Sequence, residues 1–246
     1  MRIDWHDTLT FTLTPTPQMT IINKTNTYLN TEDNLCIQAS RLLQNKLGIS
    51  RPISIELHKR IPMGAGLGGG SSNAATTLIA LNHLLKSNLS VFELAQLGAK
   101  LGADVPFFIY NAPLAIAEGI GDIITPYQFH FPYPIVIAFP NEHVATAQAY
   151  NDLQLHLPKP KKNVSFLYSI CKGKKLNEMK NDFEAGILPK FPKIEQLKKE
   201  LLDKGASVSL MSGSGSAVFA IFESKEKATH CYNALKRTYP SNLTLP

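Results

Sequence analysis

At 246 residues, 44% hydrophobic and 18% charged, the chain is long enough for one large domain or two modest ones built around buried cores. No apolar run is long enough to cross a bilayer, residues 1–7 carry no basic-then-apolar signal pattern, and Cys36, Cys171 and Cys231 fit neither a disulfide framework nor a zinc site, so a reducing cytoplasm is expected. The net charge of +6 suits anionic partners such as nucleotides.

Residues 8–14 alternate Leu9, Phe11 and Leu13 with threonines, which predicts a half-buried strand. Residues 34–47 place Leu35, Ala39, Leu42, Leu43 and Leu47 near one helical face, and Gly48 ends that helix. A second strand follows where Ile53, Ile55 and Leu57 alternate with Ser54 and Glu56; Pro62 closes it. From Ser72 the apolar residues run at helical spacing through Ala74, Ala75, Leu78, Ile79, Leu81, Leu84 and Leu85. Ser90 with Glu93 forms a capping box ahead of Leu94, Leu97 and Leu101, and Gly102 stops that helix. Residues 105–109 (Val-Pro-Phe-Phe-Ile) are expected to be a buried strand.

Prolines thicken over residues 126–140, and the domain junction is expected there, dividing the chain into residues 1–130 and 131–246. Residues 135–138 predict a short strand, 144–153 and 194–202 two helices, 207–211 and 217–222 two strands, and 225–237 a last helix. The two late strands are joined by Ser212-Gly213-Ser214-Gly215-Ser216. The back half therefore reads as an α+β sandwich, with helices on an antiparallel sheet. Lysines cluster at Lys159, Lys161 and Lys162 and at Lys172, Lys174 and Lys175. With no aromatics interleaved they read as solvated loops, so no nucleic-acid partner is expected.

The chemistry is concentrated in one stretch, Pro62-Met63-Gly64-Ala65-Gly66-Leu67-Gly68-Gly69-Gly70-Ser71-Ser72-Asn73, lying between a strand and a long helix. Glycine lets main-chain N–H groups turn toward an anion, and a helix start adds free donors and a positive dipole end. A phosphate cradle is the expected role. A P-loop would need Gly-Lys-Ser/Thr, but Gly70 is followed by Ser71. A dinucleotide fold would need an acidic strand end about twenty residues on, where residues 88–90 fall between two helices instead.

The stretch resembles the phosphate loop of the GHMP kinases, Pro-x-x-x-Gly-Leu-Gly-x-Ser-Ser, with one extra glycine. Six further segments are similar to the branch of that superfamily that phosphorylates a cytidine-diphosphate-linked polyol of the non-mevalonate isoprenoid pathway. They are Glu32-Asp33-Asn34-Leu35, Leu101-Gly102-Ala103-Asp104-Val105-Pro106-Phe107, residues 117–122, residues 144–150, Asn181-Asp182-Phe183-Glu184 and the 211–216 turn. The resemblance implies a two-domain α+β fold. Its N-terminal domain would be ribosomal-protein-S5-domain-2-like and short of its first strands, and its C-terminal domain a ferredoxin-like sandwich.

The resemblance also implies ATP and Mg²⁺ as cofactors and the polyol as a small-molecule substrate, with no membrane, nucleic-acid or obligate protein partner. The ATP-binding residues would be Pro62 to Asn73 as spelled out above, with Asn34, Leu35 and Lys59 around the adenine and Ser72 as a Mg²⁺ ligand. Asp104 would be catalytic and would touch the substrate, Thr146 and Tyr150 would border the cytosine, and the 212–216 turn would support the phosphate loop. Without the resemblance, Asp104 reads better as a turn aspartate than as a catalytic residue, Ser71 and Ser72 read as helix N-caps, and Tyr150 as a core residue with a hydrated tip. The family's opening Pro-Ala-Lys-x-Asn strand has no counterpart here, and residues 23–26 do not replace it. Impaired catalysis is therefore expected of the chain as written. The other readings are a nucleotide-binding homologue without turnover, or a different small-molecule kinase of the same superfamily.

Overall fold

The computed structural model describes residues 1–15, 20–23, 32–153, 169–170, 172 and 174–246. They fall into two compact units. Unit 1 is Met1–Arg2, His6–Ile61 and Gly68–Phe129; unit 2 is Ile3–Trp5, Pro62–Leu67 and His130–Pro246.

Unit 1 contains β1 (Thr8–Leu13), β2 (Thr20–Asn23), α1 (Leu35–Leu47), β3 (Ile53–His58), α2 (Gly69–Leu84), α3 (Val91–Ala99), α4 (Val105–Tyr110), β4 (Leu114–Glu118) and β5 (Ile123–Tyr127). The central strand of its three-stranded sheet is β3, antiparallel to β1 (Leu9 opposite Leu57, Phe11 opposite Ile55) and parallel to β2. Alternation in β3 sends Ile53, Ile55 and Leu57 to one face, where all three are essentially inaccessible. They pack there with Leu43 and Ala39 of α1, Ala74, Leu78 and Leu81 of α2, and Val105 and Ile109 of α4. Local chemistry sets the ends of these helices. Asn34 caps α1 by accepting from the Cys36 amide at 2.9 Å, and Gly48 closes it at φ +64°. The Ser90–Glu93 capping box starts α3.

Two expectations are corrected in this unit. Residues 105–109 are helical, not extended: Pro106 sits in the first turn of α4, where its missing N–H costs nothing, and short apolar runs do not distinguish strand from buried helix. The long helix begins at Gly69, capped by Gly68 in the left-handed region (φ +65°). Ser71 and Ser72 are therefore first-turn residues, not its caps.

Unit 2 contains β6 (Ile135–Ala138), α5 (Thr146–Asp152), a 3-10 turn (Leu176–Glu178), α6 (Glu184–Ile187), α7 (Pro192–Asp203), β7 (Val208–Met211), β8 (Val218–Ile221), α8 (Lys225–Leu235) and β9 (Ser241–Thr244). Its sheet runs β7-β8-β6-β9, with every pairing antiparallel. All four residues of β6 are buried, so this strand is covered on both faces. Val136, Ala138, Val218 and Ala220 face Leu197 and Leu201 of α7 and Ala228 and Cys231 of α8. Ile135, Ile137, Leu210 and Ile221 line the opposite face, with Ala65 and Leu176. The architecture is thus α+β, with helices on sheets whose strand pairs are antiparallel except for β2 with β3. Lys159, Lys161, Lys162 and Cys171 lie outside the described residues; Lys174 and Lys175 are exposed, and Lys175 pairs with Glu178.

Candidate active site

The glycine stretch is shared between the two units. Its second part opens α2. The Gly68 cap offers no side chain to the first-turn amides, no acidic residue occupies that turn, and Ser72 N donates back to Gly68 O at 2.8 Å. The first turn thus presents main-chain donors at the positive end of a sixteen-residue helix. The three residues expected around the adenine gather there. Lys59 Nζ lies 3.2 Å from where a Cβ on Gly69 would stand, Leu35 Cδ1 lies 3.4 Å from the same point on Gly70, and Asn34 caps the helix that Leu35 begins. Gly68 itself sits against the Phe108 ring, 3.0 Å from a hypothetical Cβ, so only glycine suits its left-handed backbone there.

A network at this corner was not foreseen. Asp7, its side chain 1% exposed, accepts from Lys59 Nζ at 2.5 Å, Arg60 N at 2.7 Å, Ile61 N at 2.9 Å and Asn73 Nδ2 at 3.0 Å. Burial alone would raise its pKa. The hydrogen bonds from Lys59, Arg60 and Ile61, with the Lys59 charge, outweigh that and hold the carboxyl below the usual aspartate range. A single aspartate ahead of a strand has no spacing signal by which sequence could flag it.

Asp104 ends the turn between α3 and α4. Its side chain makes no cap bond to α4, and among the described residues no donor or cation holds its carboxylate. The residue as a whole is exposed, yet the surrounding chain removes enough water from the carboxyl to push its pKa upward. Two close approaches set its neighbourhood. A Cβ on Gly121 would stand 3.9 Å from Asp104 Oδ1, and one on Gly102 would stand 3.9 Å from Ser71 Oγ. The 102–104 turn therefore runs from the first turn of α2 to the β4–β5 connection.

Unit 2 holds the first part of the stretch by main-chain contact. Ala65 O accepts from Ala217 N at 3.0 Å, and Gly66 O accepts from Ser212 Oγ at 2.9 Å. Gly66, at φ +70°, approaches the 212–216 turn so closely that a Cβ would stand 2.2 Å from Ser212 O and 2.8 Å from Gly215 O. No other residue fits. Asn181 braces that turn, donating through Nδ2 to Met211 O and Gly213 O, both at 2.8 Å. Glu184, paired with Lys198, accepts from Met211 N at 2.7 Å. Thr146 Oγ1 lies 3.2 Å from Ser214 Oγ. Tyr150 is 59% exposed rather than a core residue, its ring meeting Phe183 edge-on at 4.9 Å. Each unit therefore assembles its own share of the expected residues. Lys59, Leu35, Asn34, Gly68 to Asn73 and Asp104 belong to unit 1; Pro62 to Leu67, Thr146 and Tyr150 belong to unit 2.

Residues 34–112 match the family described as GHMP kinases N terminal domain, and residues 167–241 match GHMP kinases C terminal. Together with the fold, these matches define a GHMP kinase. The chain is 41% identical over 247 residues to the 4-diphosphocytidyl-2-C-methyl-D-erythritol kinase of Chlorobium chlorochromatii (strain CaD3), covering 98% of this chain and 85% of that relative. It is 43% identical to the same-named kinase of Pelodictyon phaeoclathratiforme (strain DSM 5477 / BU-1), covering 99% and 86%. A crystal structure of 4-(cytidine 5'-diphospho)-2C-methyl-D-erythritol kinase superposes with a TM-score of 0.81 at 30% identity, covering 97% of this chain and 85% of that one. A homoserine kinase from Cytophaga hutchinsonii, at 22% identity and TM-score 0.69, shares the fold. With relatives of this identity along nearly its whole length, the chain belongs to the 4-diphosphocytidyl-2-C-methyl-D-erythritol kinase family.

Proposed function

We propose that this chain is an ATP-dependent kinase that phosphorylates the 2-hydroxyl of 4-diphosphocytidyl-2-C-methyl-D-erythritol, a step toward isoprenoid precursors. Membership of the family supports the substrate. The observation that carries the chemistry is the Asp104 carboxylate, which no donor among the described residues holds and which lies along a turn adjoining the donor-rich first turn of α2. ATP, when bound, supplies the phosphoryl group. The residues of this chain supply position and charge, which is most of what phosphoryl transfer asks of a protein.

The amides from Pro62 to Asn73 hold the phosphates, and Asn34, Leu35 and Lys59 border the adenine. Asp104 orients the substrate hydroxyl and accepts its proton; the upward shift of its pKa makes it a better acceptor than a surface aspartate. Tyr150 offers an exposed ring face braced edge-on by Phe183, suited to stacking on cytosine, with Thr146 one helical turn before it. Mg²⁺, a hard cation that keeps several waters, would take the Ser72 hydroxyl as its ligand from this chain and would offset charge on the phosphates. Among the described residues no helix is long and apolar enough to cross a membrane.

A coupled ADP-release assay offering the cytidyl polyol, homoserine, mevalonate and galactose tests the reading. Turnover of the polyol alone is expected. Preference for another alcohol would reassign the substrate, and ATP binding without turnover of any would leave a nucleotide-binding protein.

A further inference from the structure

We propose that Asp7 is a positioning residue for the nucleotide, holding the Lys59 ammonium and the first turns of α2 in one fixed arrangement; this rests on the ATP-binding reading above. Both of its carboxylate oxygens are occupied. Oδ1 takes the amides of Arg60 and Ile61, and Oδ2 takes Lys59 Nζ and Asn73 Nδ2. These donors come from two places that no strand pairing connects: the exit of β3 and the start of α2. Asp7 stands one residue outside the β1–β3 ladder, whose terminal pair is Thr8 with His58. The ladder is complete without it.

The charges explain the arrangement. Lys59 Nζ lies beside Gly69, the first residue of α2. A cation at the N-terminus of a helix meets the positive end of its dipole, a placement the helix alone disfavours. A carboxylate hydrogen-bonded to the ammonium offsets that repulsion. When an anion arrives, Lys59 and the helix end attract it together, and Lys59 is already in place, with no side-chain freedom left to lose. Only 11% of the lysine side chain is exposed, so this pair is far less screened than a surface ion pair. Asp7 itself does not reach the reacting atoms; it acts through Lys59 and Asn73.

The test is a double-mutant cycle on the full chain. Affinity for a nonhydrolysable ATP analogue is measured by calorimetry, with KM for ATP, KM for the polyol and kcat from the coupled assay. The variants are Asp7→Asn, Lys59→Gln, the pair together, and Asp7→Glu as the charge-conserving rescue. Asp7→Asn is expected to weaken ATP about tenfold while leaving KM for the polyol within about twofold, and the double variant is expected to bind ATP no worse than Lys59→Gln alone. Asp7→Glu should recover most of the loss. Independent, multiplying effects, unchanged ATP affinity in Asp7→Asn, or equal losses for both substrates would overturn the proposal. If Asp7→Asn is too unstable to assay, the same set is read in the cold with sucrose to raise the folded fraction. Wild-type affinity is measured first: a wild-type chain that binds no ATP overturns the functional reading itself and this proposal with it, whereas normal wild-type binding with an indifferent Asp7→Asn overturns this proposal alone.

Discussion

At the corner where β3 ends, Asp7 has both carboxylate oxygens taken by donors; at the turn before α4, Asp104 has none among the described residues. Burial acts on both carboxyls in the same direction, upward. In Asp7, donation from Lys59, Arg60 and Ile61 reverses it; in Asp104 nothing does. The contrast separates two uses of one side chain. A carboxylate whose lone pairs are all engaged can fix geometry but is a poor proton acceptor near neutral pH. One left unengaged in a partly dried setting adds nothing to the fold and is available to a substrate.

The largest expected effect tests the unengaged end of this comparison. Asp104→Ala and Asp104→Asn should lower kcat by about 10²–10⁴-fold, the range ascribed to a positioned proton acceptor. Their thermal midpoints should be unchanged or slightly raised, because no hydrogen bond is lost. A variant that keeps near-normal turnover, or that unfolds, would break the comparison at its catalytic end. The engaged end behaves oppositely. Asp7→Ala leaves Lys59, Asn73 and two main-chain amides without their acceptor. Denaturant unfolding should show a loss of about 3–5 kcal/mol, the cost of breaking one side of a buried ion pair. A loss comparable with that of an ordinary surface substitution would mean water or other groups replace the carboxylate.

Acid sharpens the comparison further, because the two groups contribute with opposite sign. The folded pKa of Asp7 lies below its unfolded value, about 3.9. Its stabilising contribution is fully present above that value and is lost as pH falls through the folded pKa. Asp104 is raised on folding, so the folded state favours its protonated form. Its contribution is most favourable below the unfolded value and declines as pH rises through the folded pKa. Stability measured from pH 3 to pH 7 should therefore lose steepness in Asp7→Asn and gain it slightly in Asp104→Asn. Parallel curves for wild type and both variants would remove the electrostatic distinction.

Much of this was legible in the sequence, and the parts that were not share a cause. The alternation of Ile53, Ile55 and Leu57, the Ser90 cap and the Gly48 stop are local patterns, and each appears where the spacing predicts. The strands β2, β4, β5 and β9 passed unread; a segment of four or five residues gives only a weak period, though β6, β7 and β8 are equally short and were read. Val105–Tyr110 was misread because a buried apolar run has no period of its own. At the site, the glycine stretch stood out through residue type and order, and Asp104 only through the family resemblance. Asp7 did not, because its role is set by partners 52 to 66 positions away. Gly66 shows the same limit: sequence marks it as glycine, but only the approach of Ser212 O explains why it must be.

Ser72 carries the comparison to a hydroxyl, with the smallest effect. Because Gly68 is the cap of α2, Ser72 lies inside the first turn and its hydroxyl is not needed to start the helix. A capping serine replaced by alanine would cost about 1 kcal/mol. Here Ser72→Ala should instead be neutral or stabilising by about 0.5 kcal/mol, since alanine has the better helix propensity. Activity should move the other way: a metal ion that keeps most of its ligands from phosphate and water loses one protein oxygen, so the Mg²⁺ concentration for half-maximal rate should rise about three- to tenfold while kcat at saturating Mg²⁺ changes little. A drop in stability without a change in Mg²⁺ requirement would make Ser72 a structural residue. The opposite pair of results would place it with Asp104, as a group the fold leaves unengaged for the nucleotide's metal.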